Sequence, residues 1–209
     1  YVSAAEDYLQ GRPDSNSVHP PLAKLQMAAV ILIADTLKHY GIVDFGHMVP
    51  GRLGCLIAGV GTIWLTHRLA YTLTGRRLFA NFATLLVALD FLQIVESKIA
   101  MMDQIQTFWI LAGFVFTAEV IFERKGFHEL VFAALSFGIA TACKWSGFFA
   151  AFGAWIALLG AVSREGETPI YPRRSVGHRI GTTLVFLFCG VFVYALSYIP
   201  FLMTEEHVT

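Results

Sequence analysis

Charge is scarce in this sequence. Only 14% of its 209 residues are Asp, Glu, Lys or Arg while 56% are hydrophobic, and an average soluble domain carries roughly 25% charged residues. So little charge cannot cover a water-exposed surface, which excludes an ordinary soluble fold. The formal net charge is zero, leaving no basic field for nucleic acid and no like-charge run to act as a solvated tail. Cysteine is also sparse. Cys55, Cys143 and Cys189 stand far apart inside apolar stretches, which suits small buried hydrophobes better than a disulfide framework or a zinc site with paired spacing. Absent too are a Gly-rich loop ending in GKS or GKT, a GxSxG elbow, an HExxH helix and any CxxC, so P-loop, α/β-hydrolase and zincin chemistry lack their residues. The sequence shows no signal-peptide pattern, no internal repeat and no low-complexity tract. The chain starts at Tyr1 and stops just after an apolar segment, so both ends are expected to be cut.

What the sequence has is apolar length. A spanning helix needs roughly 20 mostly apolar residues, and candidates lie at 48–67, 78–95, 104–122, 127–143, 146–163 and 180–200. The expected fold is an all-α polytopic transmembrane bundle of about six spans. Basic residues orient it, because loops rich in Lys and Arg stay cytoplasmic. Alternate loops hold Arg68, Arg76 and Arg77, then Arg124 and Lys125, then Arg164, Arg173, Arg174 and Arg179, nine of the fifteen basic residues. That places residues 1–47 on the non-cytoplasmic face and the polar 164–179 segment in the cytoplasm.

Residues 22–40, LAKLQMAAVILIADTLKHY, admit two readings: a span, or a helix lying in the membrane interface. Lys24, Asp35, Lys38 and His39 fall within an arc of about 100°, and a single polar edge favours the interfacial helix. Polar groups otherwise gather on one face. Arg52 enters the first span, Glu96, Lys98 and Asp103 fill the turn after the second, and Lys144 follows the fourth. A charge at the bilayer centre costs about 2.5–3.5 kcal/mol on insertion scales. Any one of these residues would pass as a helix-end snorkeller; five on one side suit an anionic substrate that itself sits in the membrane, such as a lipid phosphate. Asp90 is placed inside a span, with Ser97 on its helix face, and Glu119 and Glu123 near the cytoplasmic end. Gly54, Ala58, Gly147 and Ala151 read as close-packing surfaces. His19-Pro20-Pro21 precedes the 22–40 helix, and Pro21 suits a first helical turn.

Taken in order, YVSAAEDYLQGR, VHPPLAKL, PGRLGCLIAGVGT, ALDFLQIVESKIAMMD, ATACKWSGFF and YALSYIPF resemble the first half of a dolichyl-phosphate-mannose protein O-mannosyltransferase. The likeness implies a partial transmembrane glycosyltransferase domain over 1–209, of the GT-C membrane type. Such an enzyme moves a sugar, usually mannose, from polyprenyl- or dolichyl-phosphate to a Ser or Thr hydroxyl of a protein, with inversion, at the non-cytoplasmic face. Under the resemblance Arg52 matches the arginine that engages the donor phosphate, His19 and Lys24 the HPPLAK loop, Lys98 and Asp103 the turn before the next helix, and Lys144 the lysine of the KW motif. Lys98 stands where the family pattern has Arg. The likeness implies no tightly bound cofactor and no metal requirement, with membrane lipid, the lipid-linked donor and a protein acceptor as partners and no nucleic acid. Dimerisation, with itself or with a paralogue, stays open. The membrane would be the plasma membrane in a prokaryote and the endoplasmic reticulum in a eukaryote. The family's Asp-Glu pair, with its general base, would precede Tyr1, so no catalytic residue is expected within this chain, which alone should be inactive; Glu6 and Asp7 lie past that position. The alternatives are a related enzyme moving another lipid-linked sugar to a lipid or glycan, and a non-enzymatic transporter or scaffold.

Overall fold

The computed structural model describes residues 1–42, 49–122, 126–160 and 176–205, except the side chains of Val176, His178, Thr204 and Glu205. The expectations placed on Glu123, Arg124, Lys125, Arg164, Arg173 and Arg174 lie outside these residues, as do the last residues of the 1–47 loop. Among the described residues the structure is helical and contains no strand: α1 (Val2–Leu9), α2 (Leu22–His39), α3 (Val49–Thr74), α4 (Arg77–Leu89), α5 (Phe91–Lys98), α6 (Met102–Phe122), α7 (Phe127–Cys143), α8 (Gly147–Gly160) and α9 (Val176–Glu205). A helix satisfies every backbone N–H and C=O within one segment, the condition for crossing a bilayer that offers no water.

Helices α3, α6 and the Arg179–Met203 part of α9 are each long and apolar enough to span. Helix α3 has 26 residues, about 39 Å at 1.5 Å per residue, more than a hydrocarbon core of about 30 Å. The expected second span is broken. Helices α4 and α5 meet at Asp90 with a bend of 59° and satisfy the span criterion only together. Asp90 is therefore not inside a helix: its backbone is extended (φ −65°, ψ 124°) and its carboxylate caps α5 by accepting from Gln93 N at 2.9 Å, a standard N-cap that no period in an apolar run reveals. Helices α7 and α8 are apolar but short, with 17 and 14 residues. Six apolar segments thus become three long helices, one bent pair and two short helices.

Helix α3 also runs past its expected end at 67 and stops at Gly75, whose φ of 66° lets its N–H return to Tyr71 O at 2.8 Å. Arg68 consequently lies within α3 and not in a loop. It pairs with the buried Glu119 of α6 at 2.5 Å and sits over the rings of Trp64 and Phe116. Residues 176–179, expected in the polar loop, open α9.

Helix α6 lies at the centre, packed against α3, α7 and α8, with α9 beyond on α7. The largest core joins Ala23, Met27 and Ile31 of α2, Cys55 and Ala58 of α3, Met102 and Ile105 of α6 and Cys143 of α7. All three cysteines are free and buried. Small residues bring helices close, as packing in lipid requires. A Cβ on Gly147 would meet Ala140 backbone carbon at 2.5 Å, and one on Gly138 would meet Cys189 O at 3.1 Å. Of the other small residues singled out, Ala58 is buried, a Cβ on Gly54 would make only an ordinary contact with Val30, and Ala151 lines a cavity. Large apolar side chains such as Ile57, Trp64, Phe82, Leu86 and Phe188 face outward on α3, α4 and α9, where lipid would meet them.

Helix α2 is not among the helices that pass as spans. Its polar arc is not one exposed edge. Lys24 is fully buried while Asp35, Lys38 and His39 are exposed, because the 10–21 loop covers only the first turns of that face.

Candidate functional site at one end of the bundle

Five pieces of chain meet at one end of the molecule: the start of α1, the 10–21 loop, the first turn of α3, the α5–α6 turn and the α7–α8 turn. Cys55 Sγ donates to Met101 O at 3.1 Å, fixing α3 against the α5–α6 turn. Gln26 of α2 accepts from Trp109 Nε1 at 2.9 Å and donates toward Cys143 Sγ at 3.6 Å, tying α2 to α6 and α7. Gly51 leaves room for Val2, whose Cγ2 would stand 2.6 Å from a Cβ there, so α1 lies against the turn that carries Arg52.

The six residues singled out from sequence all reach this end, in three different states. Arg52, in the first turn of α3, and Lys98, in the last turn of α5, are exposed and make no ion pair among the described residues. Lys144 Nζ donates to Asp103 Oδ1 at 2.6 Å, both side chains about one-third exposed (33% and 31%). The Asp103 hydrogen bond raises the pKa of Lys144, and against partial desolvation the Asp103 charge and the nearby Tyr1 and Glu96 raise it further, so the ammonium stays charged. Lys24 is sealed: its Nζ donates to Asp14 Oδ2, to Asn16 O at 2.7 Å and to His19 O at 3.1 Å, and neither Lys24 nor Asp14 exposes any side-chain surface. His19 is half-buried, its ring 6.2 Å from that of Tyr1.

Four further residues shape this end: Asp7, set aside on sequence grounds, and Asp14, Gln106 and Tyr1, which sequence reasoning missed. Asp14 also accepts from Tyr8 OH at 2.9 Å and Asn16 N at 2.8 Å. Asp7 accepts from Arg12 Nε at 3.0 Å and Ser15 N at 3.2 Å. Its pKa is lowered, chiefly by the Ser15 hydroxyl with the Ser15 amide and Arg12 assisting against desolvation. Gln106, buried in α6, donates to Lys144 O at 2.8 Å and exchanges hydrogen bonds with Ser146 at 2.9 and 3.1 Å, so it holds the α7–α8 turn. Tyr1 faces His19 from the start of α1, next to Val2 on Gly51. A glutamine inside an apolar run was a usable signal for Gln106. Asp14, in a loop, carries no periodic signal. No group of three His, Cys, Asp or Glu able to hold a metal occurs among the described residues.

Beside the α7–α8 turn a cavity of about 600 Å³ runs between α7, α8 and α9. Its walls include Phe137, Phe148, Phe152 and Val191, with Trp145 and Tyr194, rings 5.6 Å apart, at the charged end. Farther along, Trp155 Nε1 donates to Thr183 Oγ1 at 3.0 Å, which satisfies two of its few polar groups.

The family model for dolichyl-phosphate-mannose-protein mannosyltransferase matches residues 3–164. The chain is 22% identical over 191 residues to dolichyl-phosphate-mannose–protein mannosyltransferase 1 of Candida albicans, covering 85% of this chain and 22% of that protein. It is 25% identical over 220 residues to polyprenol-phosphate-mannose–protein mannosyltransferase of Mycolicibacterium smegmatis, covering 91% of this chain and 40% of that protein. The chain therefore spans about a fifth to two fifths of the length of these relatives. No solved structure matches.

Proposed function

The chain belongs to the dolichyl-phosphate-mannose-protein mannosyltransferase family, and from that membership we propose that it forms the donor-facing part of an enzyme that moves mannose from polyprenyl-phosphate-mannose to a Ser or Thr hydroxyl of a protein. The observation that carries this is the sorting of cations at one end of the bundle: Arg52 and Lys98 are exposed and unpaired among the described residues, whereas Lys24 and Lys144 hold carboxylates. The six apolar segments, with the bent α4–α5 pair counted once, form six crossings of unequal length. The charged end faces the non-cytoplasmic side, and α2 lies in the interface.

In the reaction the acceptor oxygen attacks C1 of the sugar, the C1–O bond to phosphate breaks, and the polyprenyl phosphate departs with the electron pair. Inversion at C1 follows from a single displacement. The leaving phosphate gains charge as that bond breaks, so a guanidinium fork at its oxygens stabilises the transition state more than the ground state. Arg52 takes this role and Lys98 adds a point charge. Lys144, held by Asp103 and Gln106, sets the α7–α8 turn, and the apolar cavity behind Trp145 takes the polyprenyl chain. The acceptor proton passes to a base; Asp7 does not serve, being committed to Arg12 and Ser15.

The test is transfer of radiolabelled mannose from a polyprenyl-phosphate donor to a Ser/Thr-containing peptide, by protein purified with its native flanking sequence. The product anomer is read by NMR. Mannosyl peptide of inverted configuration is expected. A protein that binds donor but passes mannose only to lipid or glycan acceptors would overturn the protein-acceptor reading.

A further inference from the structure

Lys24 closes the HPPLAK motif and would ordinarily be taken for a substrate contact, yet the structure gives it nowhere to meet one. An ammonium has three donors, and Lys24 spends them on Asp14 Oδ2, Asn16 O and His19 O. Both partners of the ion pair have zero exposed side-chain surface, and Pro20 and Pro21 beside them are fully buried. The pair instead determines where the loop goes. Asp14 takes Tyr8 OH and Asn16 N, so it joins α1 to the loop. Lys24, projecting from the first turn of α2, pulls the carbonyls of Asn16 and His19 inward. With its carbonyl fixed, His19 presents its ring toward Tyr1, and the next residue, Val2, packs on Gly51 beside Arg52.

We propose that Asp14 and Lys24 are positioning residues that hold His19 at the donor site and that neither touches substrate. A buried ion pair suits this task because it fixes a geometry. Its burial cost is offset only when every hydrogen bond is made, so a displaced loop would leave charge buried and uncompensated. The proposal rests on the mannosyl-transfer reading of the preceding subsection.

The test is a double-mutant cycle in protein with its native flanking sequence. Removing one partner would strand a buried charge and risk unfolding, so both are replaced together, as Asp14→Asn/Lys24→Met, alone and in a His19→Ala background. The pair variant should melt close to wild type and transfer mannose at least about 10-fold more slowly, with donor KM changed less than about twofold. In the His19→Ala background the same replacement should slow transfer by less than about twofold, since residues acting through one group are not additive. Multiplicative losses would show that the pair acts on substrate independently of His19 and would overturn the proposal, as would an unchanged rate in the pair variant. If wild type transfers no mannose, the functional reading fails, and hydrogen exchange decides the positioning claim. The Asn16 and His19 amides should exchange at least about 10-fold faster in the pair variant, and equal rates would overturn it.

Discussion

Lys144 Nζ and Asp103 Oδ1 meet at 2.6 Å across 41 residues of chain, joining the α7–α8 turn to the first turn of α6. Both side chains are about one-third exposed (33% and 31%), so solvent screens the pair and its worth to stability is small, on the order of 0–1 kcal/mol. Its effect is on geometry and on the charge state of Lys144. Asp103→Asn should leave thermal unfolding nearly unchanged and move the pH profile of Lys144 acylation by an amine reagent to lower pH. The sign follows from the pKa raised above the ordinary 10.5: stabilisation by the pair is complete below that value and is lost only as pH rises through the higher folded value. Stability should therefore be insensitive to this pair from about pH 6 to 9. A profile unmoved in Asp103→Asn would remove Asp103 as the cause.

Arg52→Lys separates charge from fork geometry. The ammonium keeps the charge at the start of α3 but cannot hold two phosphate oxygens in a plane. Transfer should fall about 30-fold to 1000-fold, equivalent to roughly 2–4 kcal/mol, with the melting temperature retained because Arg52 is exposed and makes no ion pair among the described residues. Equal rates at equal stability would make Arg52 a headgroup-facing helix-end residue.

Asp7 gives an acid-side prediction. Its pKa lies below the ordinary 3.8, first because of the Ser15 hydroxyl and then the Ser15 amide and Arg12. A depressed folded pKa means stabilisation that is present above the unfolded value and lost as pH falls through the folded one. The carboxyl carbon of Asp7 should titrate by NMR with a midpoint below 3.8, and in Arg12→Gln that midpoint should rise. A wild-type midpoint at or above 3.8 would contradict the loop geometry.

Gly147→Ala tests the close approach that forms the α7–α8 turn. The new Cβ would lie 2.5–2.7 Å from backbone atoms of Ala140 and Thr141. Backbone cannot step aside as a side chain can, so α8 must shift, at a cost of about 1–3 kcal/mol. Gly153→Ala in the same helix meets nothing within 4 Å and should be neutral or stabilising by up to about 1 kcal/mol. Thermal unfolding of the two variants in one detergent gives the comparison.

The helices were legible because apolar length is written directly in the sequence, and α2, α6 and α7 fall close to their expected places. The break at Asp90 was not legible: one carboxylate in an apolar run reads equally as an intramembrane charge or as a cap, and only the Gln93 contact separates them. Arg68 misled for a related reason. Basic residues were assigned to loops, but burial of Glu119 on α6 gives Arg68 a partner within α3. Sequence named six residues that the fold brings to one end of the bundle, and not which of them are exposed or paired. Whether a lysine is exposed, like Lys98, or spent on a carboxylate, like Lys24, depends on Asp14 ten residues away in an aperiodic loop.

The cavity between α7, α8 and α9 yields the remaining prediction. If it takes the polyprenyl chain, filling it should weaken the donor in proportion to chain length. Gly190 lines it, and a Cβ there would meet nothing within 4 Å, so Gly190→Leu starts its side chain in open space on the cavity wall. Replacing glycine inside a helix also gains about 1 kcal/mol of helix propensity, so stability should hold or rise. The donor KM of the variant should increase at least about 10-fold for a long polyprenyl phosphate sugar, and by much less for an analogue of one or two isoprene units that ends before the obstruction. The rate at saturating donor should change little, since a contact to the tail made equally in ground and transition states affects binding and not the chemical step. Kinetics with both donors, beside thermal unfolding, distinguish the outcomes. An equal rise in KM for long and short donors would place the obstruction at the headgroup, and no change for either would mean that the chain lies elsewhere on the bundle.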